Sequence, residues 1–227
     1  MGVHSLGRSK KVAVVLCGSG YRDGSEIRES VAVLWALSVE GAQVQCFAPD
    51  APQADVVNCL TGSVMTGETR NQLIEAARIA RGQVLPLSKL VVGDFDALVL
   101  PGGFGAAKNL STFAREGAQG QVIPELLAAL QGFAAASKPI GAVCIAPAIV
   151  ALAFRGKGLE LTLGATSETS VEIEKLGHHH RVCGTRECVV DRSHRIVSTP
   201  AYMDDSAALQ DLFTGIHACV RETLALC

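Results

Sequence analysis

Lys138-Pro-Ile-Gly-Ala-Val-Cys144-Ile-Ala-Pro-Ala-Ile-Val150 decides how the chain is read. A short apolar run ends on one cysteine, and an apolar pattern of helical type follows at once. That order is the layout of a nucleophile elbow, in which a strand turns sharply into a helix and holds one side chain up. The turn is cramped, so small residues are needed two before and two after the nucleophile. Ala142 and Ala146 stand there. Pro147 suits the first helical turn, where its missing N–H is no loss. The positive end of the helix dipole beside Cys144 favours thiolate over thiol. A buried structural cysteine at a strand end is the competing reading of the same stretch.

Working outward, Lys11–Leu16 is a continuous β-branched run, the mark of a strand buried on both faces of a parallel sheet. Gln43–Ala48, Ala97–Leu100 and Ile140–Val143 read as further strands. Shorter ones are expected at Gln83–Leu87, Leu159–Leu163, Glu187–Asp191 and His194–Ser198. Ile27, Val31, Leu34 and Trp35 recur at helical spacing, which predicts a helix over 26–39 with Ser25 as its cap and Gly41 as its end. Further helices are expected from Glu68-Thr-Arg-Asn71 to near Arg81, over Ala106–Arg115 and Val122–Ala136, and from Cys144 to about Phe154. Two more are expected over Glu168–Leu176, closed by Gly177, and from Asp204 to about Leu226. Pro49–Gly67 reads as a polar excursion at the sheet edge. The alternation predicts one doubly wound α/β domain over 11–227, with a mostly parallel sheet and helices on both faces, behind a disordered lead over 1–10.

In such a sheet, ligands bind beyond the carboxyl ends of the strands. The loops after the strands starting at Lys11, Ala97 and Ile140 should therefore converge. They carry Glu26 and Glu29, the pair Gly102-Gly103, and Cys144. A thiolate nucleophile needs a proton carrier and donors for oxyanion charge. A glutamate near Cys144 suits the first role, and the backbone N–H groups of Gly103 and Ile145 suit the second. Dipole compensation for the two glutamates and an ordinary turn for the two glycines are the plainer readings. Glu68, Arg70 and Asn71 are either a second polar wall of the pocket or a helix cap with surface ion pairs.

Composition narrows the function. Of 227 residues, 48% are apolar and the net charge is −2, so no basic field exists to hold nucleic acid or an anionic membrane. No apolar run approaches the ~20 residues of a membrane span. Eight cysteines are scattered over a chain with a large core and follow no secretory signal. They are expected as free thiols in a reducing compartment. Cys183-x4-Cys188 has no second pair to complete a zinc site, and His178-His179-His180 is a polar loop or, less simply, a metal-binding run. The first nine residues do not complete a myristoylation signal, because Leu stands at position 6. Gly18-x-Gly-x3-Gly24, with Asp50 after the next strand, also matches a dinucleotide fingerprint. Asp23, Glu26 and Glu29 would oppose a pyrophosphate there.

Leu100-Pro-Gly-Gly-Phe-Gly-Ala-Ala-Lys-Asn-Leu-Ser111, Gly24-Ser-Glu-Ile-Arg-Glu-Ser-Val31 and Ala142-Val-Cys-Ile-Ala-Pro147 together resemble the ThiJ/PfpI superfamily, within the class I glutamine amidotransferase-like fold. The match is closer still to its ElbB branch and that branch's mitochondrial animal relatives. Tyr21-Arg-Asp-Gly-Ser-Glu26, Cys46-Phe-Ala-Pro-Asp50, Glu68-Thr-Arg-Asn71, Glu75-Ala-Ala-Arg-Ile79 and Ser198-Thr-Pro-Ala-Tyr-Met203 carry it. The resemblance implies a flavodoxin-like sandwich and a homodimer, and no metal or cofactor is expected. It places an animal protein in the mitochondrial matrix and any other in the cytoplasm. Cys144 falls on the family's oxidation-prone cysteine, Glu29 on the glutamate that hydrogen-bonds it, and Glu26 on a second frequent acidic position. Gly103 and Ile145 match the oxyanion donors.

Ile145 stands where peptidase-like relatives have His, and no histidine here sits in the distal His-x-Glu pattern of true amidotransferases. Neither glutaminase nor peptidase chemistry is therefore expected. The implied activity is that of a glutathione-independent glyoxalase, turning small dicarbonyls into hydroxy acids through a Cys144 hemithioacetal and a proton carried by Glu29. The non-enzymatic alternative is a redox sensor or scaffold whose Cys144 is oxidised to the sulfinic acid.

Overall fold

β1 (Lys11–Val15) is buried at every position but its first, as a strand covered on both faces must be. In the computed structural model, which describes residues 8–227, the sheet is built outward from it. The chain continues through α1 (Ile27–Val39), β2 (Gln43–Ala48), α2 (Gln72–Ile79), β3 (Val84–Pro86) and β4 (Ala97–Leu100). Then come α3 (Phe104–Asn109), α4 (Phe113–Glu116), α5 (Pro124–Ala135), β5 (Ile140–Val143) and α6 (Ala146–Ala153). It closes with β6 (Glu160–Leu161), α7 (Glu168–Lys175), β7 (His179–His180), β8 (Val189–Asp191), β9 (Ile196–Thr199) and α8 (Leu209–Ala225).

The main sheet has the order β3-β2-β1-β4-β5-β9-β8, parallel throughout except for β8 at one edge. β6 and β7 pair separately. Every residue of β4, β5 and β9 is buried, because helices cover both faces. α1 packs along α8 and touches α2 on one side, while α5 and α3 pack against α6 on the other. This is the doubly wound, flavodoxin-like architecture expected. The order places β1, β4 and β5 side by side, with their carboxyl ends at one edge of the fold.

Several expectations need correction. Glu26, not Ser25, caps α1, accepting from Glu29 N at 2.6 Å; the Ser25 hydroxyl is already engaged by Cys17 N at 2.9 Å. The helix expected over 106–115 breaks in two, since Ser111 pairs with Val122 and its hydroxyl takes Phe113 N at 3.2 Å. α8 starts at Leu209 because Asp204 Oδ1 holds Ser206 N at 3.0 Å and shapes a turn first. His179-His180 is a strand, not a loop, because it pairs with β6. The excursion over 49–67 does not stay at the sheet edge. Val57 N reaches Asp23 Oδ2 at 2.8 Å and Ala54 N reaches Asn109 Oδ1 at 2.8 Å, folding the segment back over the strand ends. Of the expected lead, residues 1–7 lie outside the described residues, and Ser9 is held by Gly41 O at 2.5 Å. No described helix is long and apolar enough to cross a membrane, and all eight cysteines are free.

The loops after β1 and β4 are fastened backbone to backbone. Glu26 N donates to Gly102 O (3.0 Å), Phe104 N to Tyr21 O (2.8 Å) and Gly105 N to Gly24 O (3.1 Å). Buried Asn109 ties in further by donating to Cys17 O and Asp23 O. A Cβ at Gly105 would lie 2.4 Å from Gly24 Cα and 2.5 Å from its N and O, all backbone atoms that cannot swing aside. Gly105→Ala is therefore expected to destabilise by about 1–3 kcal/mol, a midpoint drop of roughly 5 °C in thermal unfolding. Gly93→Ala, where a Cβ meets nothing within 4 Å, is expected to stay within about 1 kcal/mol of wild type.

Candidate active site

β5 delivers its chain to Cys144, which adopts φ +61°, a left-handed conformation that a side chain takes only when its surroundings impose it. Cys144 N donates back to Thr199 O at 2.9 Å, and α6 starts two residues later with Pro147 in its first turn. Ala142 and Ala146 have no exposed surface, so the cramped turn has the small flanks it needs. This is a nucleophile elbow in geometry as well as in pattern.

Gly102 brings the second group to it. A Cβ there would lie 2.4 Å from Cys144 Cβ and 2.6 Å from Glu29 Oε2, so a bare backbone lets the thiol and the carboxyl meet. Gly103, at φ +103°, would set a Cβ 2.3 Å from Glu26 N. Glu29 lies in the first turn of α1 and is fully buried. Its Oε1 accepts from Tyr202 N at 3.1 Å. Its Oε2 has no hydrogen bond of regular geometry, and the Cys144 thiol acts on the carboxyl group.

Burial pushes the Glu29 carboxyl up to about 8, and the charge of Glu26 adds to it; the Tyr202 amide, the thiol and the Gly102 amide pull the other way. Burial also drives the Cys144 thiol well above its usual value, and Glu29 raises it further. The Gly103 and Ile145 amides oppose this, acting on the sulfur itself. The expectation of a resting thiolate is therefore corrected: the helix end favours it, but desolvation outweighs two amides. At neutral pH the pair rests mainly as thiol and carboxylic acid. The Glu29 carboxyl, pushed up to about 8, gives up its proton before the thiol, which is held well above its usual value.

Above the pair opens a cleft of about 460 Å³. Cys144, Ile145, Gly103 and Glu26 line its base, with Val57, Val64, Phe104 and Met203 as apolar walls. Glu29 and Gly102 lie beside Cys144 and do not line the cleft. Glu68, Arg70 and Asn71 are not brought to this cleft. Asn71 Oδ1 caps α2 through Ile74 N at 3.0 Å, and Arg70 faces Glu68 and Glu75 at 3.9 Å. The amide of Glu29 at the start of α1 is taken by the Glu26 carboxyl group, and Asp50 is held by Asn71 at 2.9 Å.

No family model matches the chain. It is 45% identical over 225 residues to human glutamine amidotransferase-like class 1 domain-containing protein 3, mitochondrial, covering 95% of this chain and 83% of that protein. To the rat ES1 protein homolog, mitochondrial, it is 43% identical, over 95% and 84%. The chain belongs to this glutamine amidotransferase-like ES1 family. An isoprenoid biosynthesis protein with an amidotransferase-like domain from Ehrlichia chaffeensis superposes with a TM-score of 0.89 at 38% identity, covering 96% of this chain and 99% of that one. DJ-1beta of Drosophila melanogaster, at 19% identity and a TM-score of 0.54 over 96% of each chain, shares the fold alone. The resemblance to amidotransferase-like proteins and their mitochondrial animal relatives therefore stands.

Sequence reasoning about this ES1-family chain missed Tyr202. It lies in a short 3-10 turn after β9, and its amide is what holds Glu29. The signal available was the segment Ser198–Met203, which carried the resemblance but no assigned role. The cleft residues Tyr21 and Arg22 were missed in the same way. The histidine run is structural: His178 Nδ1 accepts from Leu159 N (3.1 Å) while Nε2 donates to Ala151 O (3.0 Å), which specifies a neutral ring. His180 Nε2 accepts from Leu163 N at 3.1 Å.

Glu29 makes a stability prediction. Its folded value of about 8 lies above the ordinary 4.5, so the folded chain keeps a proton that the unfolded chain loses. Its contribution is fully present below about pH 4.5 and is lost as pH rises towards 8. Glu29→Gln lacks this slope. It should melt with the wild type near pH 4.5 and roughly 5 °C or more above it at pH 8, read by thermal unfolding across a pH series.

Proposed function

We propose that the chain is a cysteine-dependent glyoxalase-type lyase that converts small dicarbonyl compounds to hydroxy acids without glutathione, metal or cofactor. The observation that carries this reading is the fully buried Glu29, with one oxygen free of regular hydrogen bonds, set against Cys144 at the base of a cleft. Once the pair has lost one proton, the sulfur attacks the aldehyde carbon, an S–C bond forms, and the oxygen takes a proton as the hemithioacetal. The Gly103 and Ile145 amides, already directed at the sulfur, steady the oxyanion. Glu29 as carboxylate takes the proton from C1 and returns it to C2, leaving a thioester and a hydroxyl. Water then splits the thioester, freeing the hydroxy acid and the thiol. A carboxyl group titrating near 8 suits a proton carrier that must both take and give near neutrality.

Among the described residues, no histidine lines the cleft at Cys144. Ile145 follows the cysteine, His178 and His180 serve the backbone, His194 faces Asp191 (2.7 Å), and His217 faces Glu40 (2.6 Å). A redox-sensing role has one supporting observation, since a neutral Glu29 could donate to an oxygen of a sulfinate on Cys144. The reading includes a homodimer, supported by the exposed apolar stripe Ile27, Val31, Trp35 and Val39 along α1. It also includes a place in the mitochondrial matrix, in keeping with the relatives' names.

Wild type is expected to consume methylglyoxal with lactate formation, and Cys144→Ser and Glu29→Gln are each expected to lose about 100-fold or more in kcat/KM. The wild-type value should rise with pH and level off above about 8. If turnover does not exceed a protein-free control while Cys144 takes up peroxide oxygen stoichiometrically, the redox reading replaces the catalytic one. Trp35→Arg is expected to halve the mass of the native particle in light scattering, with the fold kept.

A further inference from the structure

Arg22 lines the cleft with a guanidinium group that is held in place and yet largely unused. Its Nε donates to Tyr21 Oη at 2.7 Å, and its Cζ lies 5.0 Å from the centre of the Tyr21 ring. On another side it meets Gly62 at the tip of a tight turn. A Cβ there would lie 3.4 Å from Nη1 and 3.8 Å from Nη2. That turn is closed by Gly62 N to Asn58 O (2.7 Å) and flanked by the Val57–Val64 bridge, so it is itself fixed. Among the described residues, Nη1 and Nη2 donate to nothing and Arg22 has no ion-pair partner. The neighbouring charges are differently placed. Lys108 is matched by Asp55 at 2.8 Å, and Glu26 holds the Glu29 amide. Asp205 lines the same cleft, beyond ion-pair distance of Arg22.

A planar fork of N–H donors, oriented by a phenol and left open, matches the two oxygens of a carboxylate or phosphate. The cleft around it, about 460 Å³ and walled by Val57, Val64, Phe104 and Met203, is in the range that encloses whole ligands and far larger than a three-carbon dicarbonyl fills. We propose that the cleft takes a carbonyl compound bearing an anionic oxygen group at the end remote from its carbonyl, with that group in the fork of Arg22 and the carbonyl carbon at Cys144. This rests on the carbonyl chemistry proposed for Cys144, and it makes methylglyoxal a fragment of the true substrate class.

The test reads protection of Cys144 from iodoacetamide, followed at its own peptide by mass spectrometry, and needs no turnover. Succinic semialdehyde is compared with butanal for a carboxylate, and glyceraldehyde 3-phosphate with glyceraldehyde for a phosphate. In wild type, the anionic member of at least one pair should protect at about tenfold lower concentration, the worth of a charge-assisted hydrogen bond. Which pair shows the gap tells carboxylate from phosphate. The gap should shrink below about twofold in Arg22→Gln and narrow in Tyr21→Phe, which frees the guanidinium while keeping the ring. Equal protection within both pairs, or a gap that survives Arg22→Gln, overturns the proposal. Succinate and glycerol 3-phosphate separate it from the reading it rests on. If they protect as well as the aldehydes and depend on Arg22, the anion site stands and carbonyl addition at Cys144 fails.

Discussion

Everything at this site depends on backbones that touch without side chains between them. Gly24, Gly102 and Gly103 belong to the loops after β1 and β4 and Gly105 to the first turn of α3, and a Cβ at any of them would fall within 2.6 Å of another atom. The close approach lets Glu26 N reach Gly102 O and Gly105 N reach Gly24 O, so two loops become one surface. Gly102 then does for chemistry what Gly105 does for packing, since the space it leaves is where Cys144 Cβ and Glu29 Oε2 meet. The elbow supplies the third strand end, and Thr199 O and the Tyr202 amide bring in a fourth.

Burial in that tight assembly sets the protonation of the pair. The dipole of α6 and two amides act to make a thiolate, yet the low-dielectric surroundings and the adjacent carboxyl outweigh them. The result is a thiol and an acid that share what would otherwise be two negative charges. Such a pair is quiescent until one proton leaves, which suits a site whose cysteine is nearly covered. Two of the apolar walls, Val57 and Val64, come from the excursion over 49–67, tied down by Asp23 and Asn109, whose buried side chains serve the loops rather than the chemistry.

Much of this was legible in the residues. Ala97–Leu100 and Ile140–Val143 appear at the expected bounds because buried parallel strands are written as local apolar runs, and the half-buried Gln43–Ala48 appears at its expected bounds too. Cys144, Glu29 and Gly102-Gly103 meet because doubly wound topology sends the loops after neighbouring strands to one edge. The errors lie where a side chain's partner is distant in sequence. Ser25 looked like a cap until Cys17 claimed its hydroxyl, and Asp204 delays α8 through a turn that no periodicity reveals. Glu68, Arg70 and Asn71 had the composition of a binding site and the geometry of a helix start.

What the sequence by itself determined is the architecture, the elbow and the family, since hydrophobic period, glycine placement and motif order are properties of short stretches. Only the tertiary structure decided that Glu26 caps, that Tyr202 holds Glu29, that Arg22 lines the cleft, and that burial favours the thiol form of Cys144. Each of these depends on desolvation and on partners brought together from separate loops, and neither exists until the sheet has set the loops side by side.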